Sequence, residues 1–326
     1  MKKFLIKTAL IFVIFAILYI PAYSILNMIA DKDSQKTSDF EYLKTTEIKF
    51  NEIDSYKDID ILFVGSSHTY RSFDPRIFSK EGLKVFNLGT SSQTCMQSWF
   101  LIDRYIDVLN PKCVVYDLFP DLMNNKGEES TIDFISSNFE HNQAMWEWTK
   151  LKMALCTKNM YTINKWIYKA FQRHILRNEN RIQTIKDDEL RIRNERYIKG
   201  GFVERDMEYY DLSYDNRIDT TCKLGTMQMI FLRKTVNLLK DKGINYLLVE
   251  TPVPSVLYKS YDNHDQYAEK ISEYGTFYDY NTRLNLNDSL DFYDSHHLNQ
   301  NGVVKYDSLL IKDLYELKYI SDGINY

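Results

Sequence analysis

The chain has 326 residues, an ordinary apolar fraction of 44% and many aromatic residues, so a sizeable core is available and wholesale disorder is excluded. That length suits one large α/β domain with insertions, or two smaller domains. A formal net charge of −4 gives no electrostatic case for nucleic acid as a partner, and Cys95, Cys113, Cys156 and Cys222 form no CxxC pair that would support a zinc ribbon or a redox motif.

Lys2, Lys3 and Lys7 precede a stretch from Thr8 to Ala30 without a charged side chain. As a helix it is long enough to cross a hydrocarbon core of roughly 30 Å. The lysines on its N-terminal side predict a cytoplasmic N-terminus and an exported remainder, a single-pass protein of the cell membrane. Pro21 would kink the helix without forbidding it. The competing reading is a cleaved signal peptide with Ala22 and Ser24 before the cut; the apolar run continues past that point, which favours an anchor. Residues 1–30 are thus expected to be the anchor or an uncleaved signal. Residues 31–58 read as a polar juxtamembrane connector, and 59–326 as an α/β domain.

That domain opens with an alternation of strands and helices. "DILFVG" (60–65) predicts a short apolar strand, "DPRIFSKEG" (74–82) a short helix closed by Gly82, and "KVFNLG" (84–89) a second strand. Met96, Trp99, Phe100, Ile102, Tyr105, Ile106 and Leu109 recur at helical spacing, with Pro111 just beyond. "KCVVYDLF" (112–119) is a third strand, apolar enough to be buried on both faces. This rhythm is that of a three-layer, doubly wound parallel sheet. It lapses between about residues 121 and 219, where only helical patches are evident, so a helical insertion is expected. Within it, the charged run from Phe171 to Arg205 reads as a solvated helix with i,i+4 pairs; the alternative is a lid, a partner surface or a patch facing anionic groups. The rhythm resumes with a helix ending at Gly243, a fourth strand in Ile244 to Pro254, a helix from His264 to Tyr274, a weak strand in "TFYDYN" (276–281), and a last helix for which Asn299 is a plausible N-cap.

Three short segments carry possible chemistry. Ser67 stands just past the first strand, at the edge where ligands bind in open parallel sheets. Gly-Ser-Ser is also an ordinary turn composition. Near the C-terminus, "DSHH" places Asp294 three residues before His297. A serine needs a base at neutral pH, and an imidazole needs an acceptor to fix its tautomer. His297 and Asp294 on one loop can supply both; the plainer reading is a helix-capping histidine and a turn aspartate. A metal site of Asp294, His296 and His297 is weaker, because adjacent histidines rarely point at one ion. "NLGTSSQT" (87–94), with Gly89 and Ser92, joins the second strand to a helix N-terminus, where free N–H groups suit an oxyanion. His68 reads as a structural or substrate-contact residue. Arg71 and Tyr70 read either as contacts for an anionic or sugar substrate or as surface residues.

"VGSSH", "NLGTSSQT" and "DSHHLNQNG" together resemble the first, second and fifth blocks of the SGNH/GDSL hydrolases, over most of residues 60–317. The resemblance implies a flavodoxin-like fold, with Ser67 as nucleophile, His297 as base and Asp294 as its orienting partner. It also implies an oxyanion hole lined by the N–H groups of Ser67 and Ser92, and no cofactor. The pattern departs from the family in three places, one of them that the second-block glycine donating to the oxyanion falls on Ser92. Gly-Asp-Ser is here Gly65-Ser66-Ser67, and the third block, usually Gly-x-Asn-Asp, reads "YDLFPD" with no asparagine. An anchored, exported protein of this kind is similar to SGNH-like proteins that edit surface polymers. The expected function is therefore an esterase or O-acyltransferase acting on acetyl or other acyl esters of a surface glycan, with a membrane acyl-transfer partner. The alternative is a non-catalytic scaffold of such a complex.

Overall fold

The computed structural model describes residues 39–139, 142–174, 188–214 and 219–321, with scattered positions among the first 23. Among the described residues no helix is long and apolar enough to cross a membrane. Most of the stretch expected to be the anchor, Thr8 to Ala30, lies outside them.

Five short strands form the central sheet: β1 (Ile61–Val64), β2 (Val85–Asn87), β3 (Cys113–Asp117), β7 (Asn245–Glu250) and β8 (Phe277–Asp279). They lie in the order β2-β1-β3-β7-β8, every pair parallel. Ile61 pairs with both Val85 and Cys113, and Cys113 with Asn245. β1 and β3 are apolar without interruption until Asp117 because both faces of the sheet are covered. Alternate side chains divide between the faces. Leu62, Val64, Val114, Tyr116 and Leu248 enter one core, together with Met96, Ile102 and Ile106 of the helix Cys95–Leu109 (α4) and Leu232 and Val236 of the helix Thr226–Asp241 (α8). Ile61, Phe63, Val115 and Leu247 enter the other, against Phe78 of the helix Pro75–Lys80 (α3) and Tyr306, Leu310 and Leu314 of the final helix, Gln300–Glu316 (α12). Burying one such side chain stabilises by roughly 1.5–3 kcal/mol. The strand order reverses at β1, and in open parallel sheets ligands bind beyond the carboxyl ends of the strands at such a point.

Two regions differ from expectation. The supposed connector contains a helix, α1 (Asp39–Glu52), whose Ile48 and Phe50 are buried; the Phe50 ring packs on Phe134, Phe139 and Trp146. Its two lysines and several carboxylates hide this in the sequence, yet Lys49 is itself only 2% exposed. The insertion is also not purely helical. After helices Glu128–Ser136 (α5), Gln143–Thr157 (α6) and Met160–His174 (α7), residues 189–205 form a three-stranded antiparallel sheet, β4 (Glu189–Ile192), β5 (Glu195–Ile198) and β6 (Phe202–Arg205). Tyr197, Ile198, Phe202 and Val203 are buried there. The charges that suggest a solvated helix are consumed in ion pairs, Arg71–Glu195 at 2.7 Å and Arg76–Glu204 at 3.0 Å. Gly201, at φ +92°, makes the turn; a Cβ there would lie 2.4 Å from the Asn87 carbonyl oxygen, so only glycine lets this hairpin dock on β2.

Candidate active site

β1 is followed at once by Gly65, whose φ of +152° and tight surroundings exclude a side chain: a Cβ would lie 2.2 Å from Thr69 Oγ1 and 2.9 Å from the Asp117 carbonyl oxygen. The chain turns there directly into a single helical turn, Ser67–Tyr70 (α2), capped by Ser66, whose Oγ accepts the His68 N–H at 3.3 Å. Ser67 thus opens the turn at the sheet edge. Its own N–H makes no backbone hydrogen bond among the described residues.

The partner loop is held as rigidly. Tyr293 N–H donates to the His297 carbonyl at 3.1 Å and Asn299 N–H to that of Asp291 at 3.0 Å, closing residues 291–299 into a narrow loop. Asn299 caps α12 by accepting from Asn301 and Gly302 N–H. Gly302 lets the helix approach that loop, since a Cβ there would lie 2.3 Å from the Asp291 carbonyl oxygen. Asp294 Oδ1 accepts the N–H groups of His296 and His297 at 2.9 and 2.8 Å, and its Oδ2 accepts His297 Nδ1–H at 2.9 Å. His297 Nε2 therefore carries the lone pair, and it accepts the Ser67 hydroxyl at 2.9 Å. Residues 230 positions apart in sequence form one hydrogen-bonded path.

Electrostatics keep that path in a base-competent state. Burial pushes the His297 imidazole down to about 4, with His296 adding to the effect and the Asp294 hydrogen bond opposing it, so the ring is neutral at pH 7. Burial works against ionisation of Asp294, but the neighbouring imidazoles and the donated N–H groups prevail and hold its carboxyl well below the usual range. Tyr293 stacks on the His297 ring, centroids 5.5 Å apart and nearly parallel, and fixes its plane.

No family model matches this chain, and no curated protein does. Among solved structures it is similar to a candidate acylhydrolase of Bacteroides fragilis, at 12% identity and a TM-score of 0.38 over 82% of this chain and 95% of that one. A GDSL-like lipase of Bacteroides thetaiotaomicron gives the same identity and score over 85% and 100%. Likeness at that level leaves the functional reading to rest on the geometry of the site.

The remaining expected residues are placed as follows. Ser92 has φ +47°, a conformation that favours glycine, and its N–H makes no backbone hydrogen bond among the described residues. Gly89 is not an available donor: its N–H is taken by Asn87 Oδ1 at 2.9 Å, and its carbonyl accepts from Lys49 Nζ. Arg71 is not a surface residue. It is 3% exposed, bound to Glu195, and lies over the rings of Tyr70 and Tyr293, bracing the loop of His297 from behind. His68 is buried, its ring stacked on Phe119 at 4.0 Å, and neither ring nitrogen has a hydrogen-bond partner among the described residues. Phe119 thus occupies the stretch where the resemblance would put an asparagine.

Sequence reasoning missed Asn87, Lys49, Phe119 and Tyr293. Asn87 ties the two loops, its Nδ2 donating to the Thr69 carbonyl at 2.8 Å. A polar residue at a strand's end is the one local signal for it; the other three give none. For a metal, His68, His296 and His297 bring a ring nitrogen each to within 4.8 Å of one another. Asp294 is not in that cluster, because its carboxylate stands behind His297. A second group, Glu250, His264 and Asp279, is equally compact. Its atoms are consumed internally, by His264 to Glu250 at 2.8 Å and Tyr258 to Asp279 at 2.7 Å.

Proposed function

We propose that this protein is a membrane-anchored, extracytoplasmic serine esterase or O-acyltransferase of SGNH type, acting on acyl esters, acetyl foremost, of a cell-surface glycan. The observation that carries the catalytic part is the Ser67–His297–Asp294 path, both links at 2.9 Å. Ser67 Oγ attacks the ester carbonyl carbon as His297 Nε2 takes its proton. The carbonyl oxygen becomes an oxyanion, for which the N–H groups of Ser67 and Ser92 are the candidate donors. His297 then returns the proton to the departing alkoxide, leaving an acyl-Ser67. Water releases it as a carboxylic acid in hydrolysis; a sugar hydroxyl releases it as a new ester in transfer. Asp294 stays ionised and stabilises the imidazolium between the two steps.

The membrane and glycan parts rest on other features. Lysines precede a charge-free run from Thr8 to Ala30, and Phe4, Leu10, Ile11 and Leu18 are exposed apolar side chains suited to lipid. A glycan substrate and a membrane acyl donor follow from the motif resemblance and that location.

A fluorophosphonate probe tests the enzymatic reading: it labels the folded full-length protein in detergent, and Ser67→Ala abolishes the label. An unlabelled wild type would favour the scaffold reading. Adding sugar acceptors to an acetyl-ester assay separates the two chemistries, since transfer yields acetylated acceptor and hydrolysis free acetate.

A further inference from the structure

We infer that His68, His296 and His297 form a binding site for a divalent transition-metal ion of the zinc class, and that metal bound there takes His297 away from Ser67. Each of the three imidazoles brings one ring nitrogen to within 4.8 Å of the other two. Tetrahedral zinc, with Zn–N near 2.0–2.1 Å, sets its donors about 3.4 Å apart, so the rings need to close by roughly an ångström.

The independent sign of a ligand is His68. It is 2% exposed, and neither of its ring nitrogens meets a hydrogen-bond partner among the described residues. Native structures rarely leave a buried imidazole in that state, and a metal ion gives its lone pair an acceptor. His297 has the backing that metal-binding histidines ordinarily have: Nδ1–H donates to the Asp294 carboxylate, which orients Nε2 and raises its basicity. His296, its ring 3.9 Å from that of His297, is half-exposed and gives the ion a way in. An all-imidazole set suits zinc, copper or nickel and not calcium or magnesium, which take oxygen ligands.

The exclusivity rests on the triad proposed above. His297 Nε2 has one lone pair, now accepting the Ser67 hydroxyl at 2.9 Å. That pair cannot bind a metal and take the serine proton at once. Free zinc would therefore hold the enzyme off until it is withdrawn.

The test uses the full-length Ser67→Ala protein in detergent, titrated with Co²⁺ alone. The site predicts saturable one-to-one binding with the visible absorption of tetrahedral cobalt, displaced by Zn²⁺ and weakened at least tenfold by His68→Gln and by His296→Gln. His296 is half-exposed, so its replacement reports on binding even where the His68 variant folds poorly. Absence of saturable binding, or binding indifferent to His296→Gln, overturns the site. In the wild type, ester turnover falls as zinc saturates and returns with a chelator; turnover unchanged at saturating zinc overturns the exclusivity. A wild type inert toward esters counts against the triad alone, and the cobalt titration decides the metal site in either case.

Discussion

Among the described residues, His297 and His264 each hold a carboxylate through a short ring-nitrogen hydrogen bond, and of these two His297 faces a hydroxyl placed for chemistry. Asp294–His297 and Glu250–His264 have nearly equal hydrogen bonds, 2.9 and 2.8 Å. Their surroundings differ. His297 Nε2 faces the Ser67 hydroxyl, whereas the other His264 nitrogen faces the Tyr258 hydroxyl at 3.4 Å, itself committed to Asp279. Their charge states diverge as well. Burial holds His297 neutral with an ionised partner. For His264 burial is outweighed by the Glu250 contact and its proton is held more tightly, while burial pushes Glu250 up to about 7. A triad needs more than a histidine on a carboxylate. It needs an imidazole with one nitrogen uncommitted and a hydroxyl placed on it.

Variants that break the contrast should show it in decreasing steps. Ser67→Ala should lower ester turnover the most, by at least about 10⁴-fold, with the melting temperature unchanged. Asp294→Asn should cost on the order of 10³–10⁴-fold in kcat at pH 7, because His297 is then free to take the wrong tautomer. His264→Ala should leave turnover at the wild-type level and lower unfolding free energy by about 1–3 kcal/mol, since Glu250 is stranded at 1% exposure.

The smallest effect is on pH dependence. Glu250 and His264 both bind a proton more tightly folded than unfolded. Their stabilising contribution is present at low pH, below the unfolded-chain values, and is lost as pH rises through about 7. Denaturant unfolding at pH 5 and pH 8 should show the wild type losing more stability over that interval than a Glu250→Gln/His264→Gln double variant. Equal losses would mean the pair does not titrate as a unit.

What the sequence reveals follows the range of the interactions involved. β1 and β3 are legible because a strand covered on both faces is an unbroken apolar run. Ser67 and the Asp294–His297 pair are legible because each is a short local arrangement, and the fold joins them. Arg71 is not, because its partner Glu195 lies 124 residues away and a paired arginine is indistinguishable from a surface one in sequence. Lys49 misleads in the same way: a lysine in a polar helix, yet buried and bonded to the Gly89 carbonyl. The antiparallel sheet at residues 189–205 escapes notice because its ion pairs put charges at positions where alternation would show apolar residues. His68 is conspicuous as a residue, but its burial among Phe119, His296 and His297 depends on two distant segments.

The central claim is that Ser67 carries the acyl group. Intact-protein and peptide mass spectrometry, after rapid quenching of the enzyme with an activated acetyl ester, tests it directly. The account predicts one acetyl group per chain, located on the peptide containing Ser67 and discharged on further incubation. Turnover with no acetyl on that peptide, or with the acetyl on another residue, would contradict it.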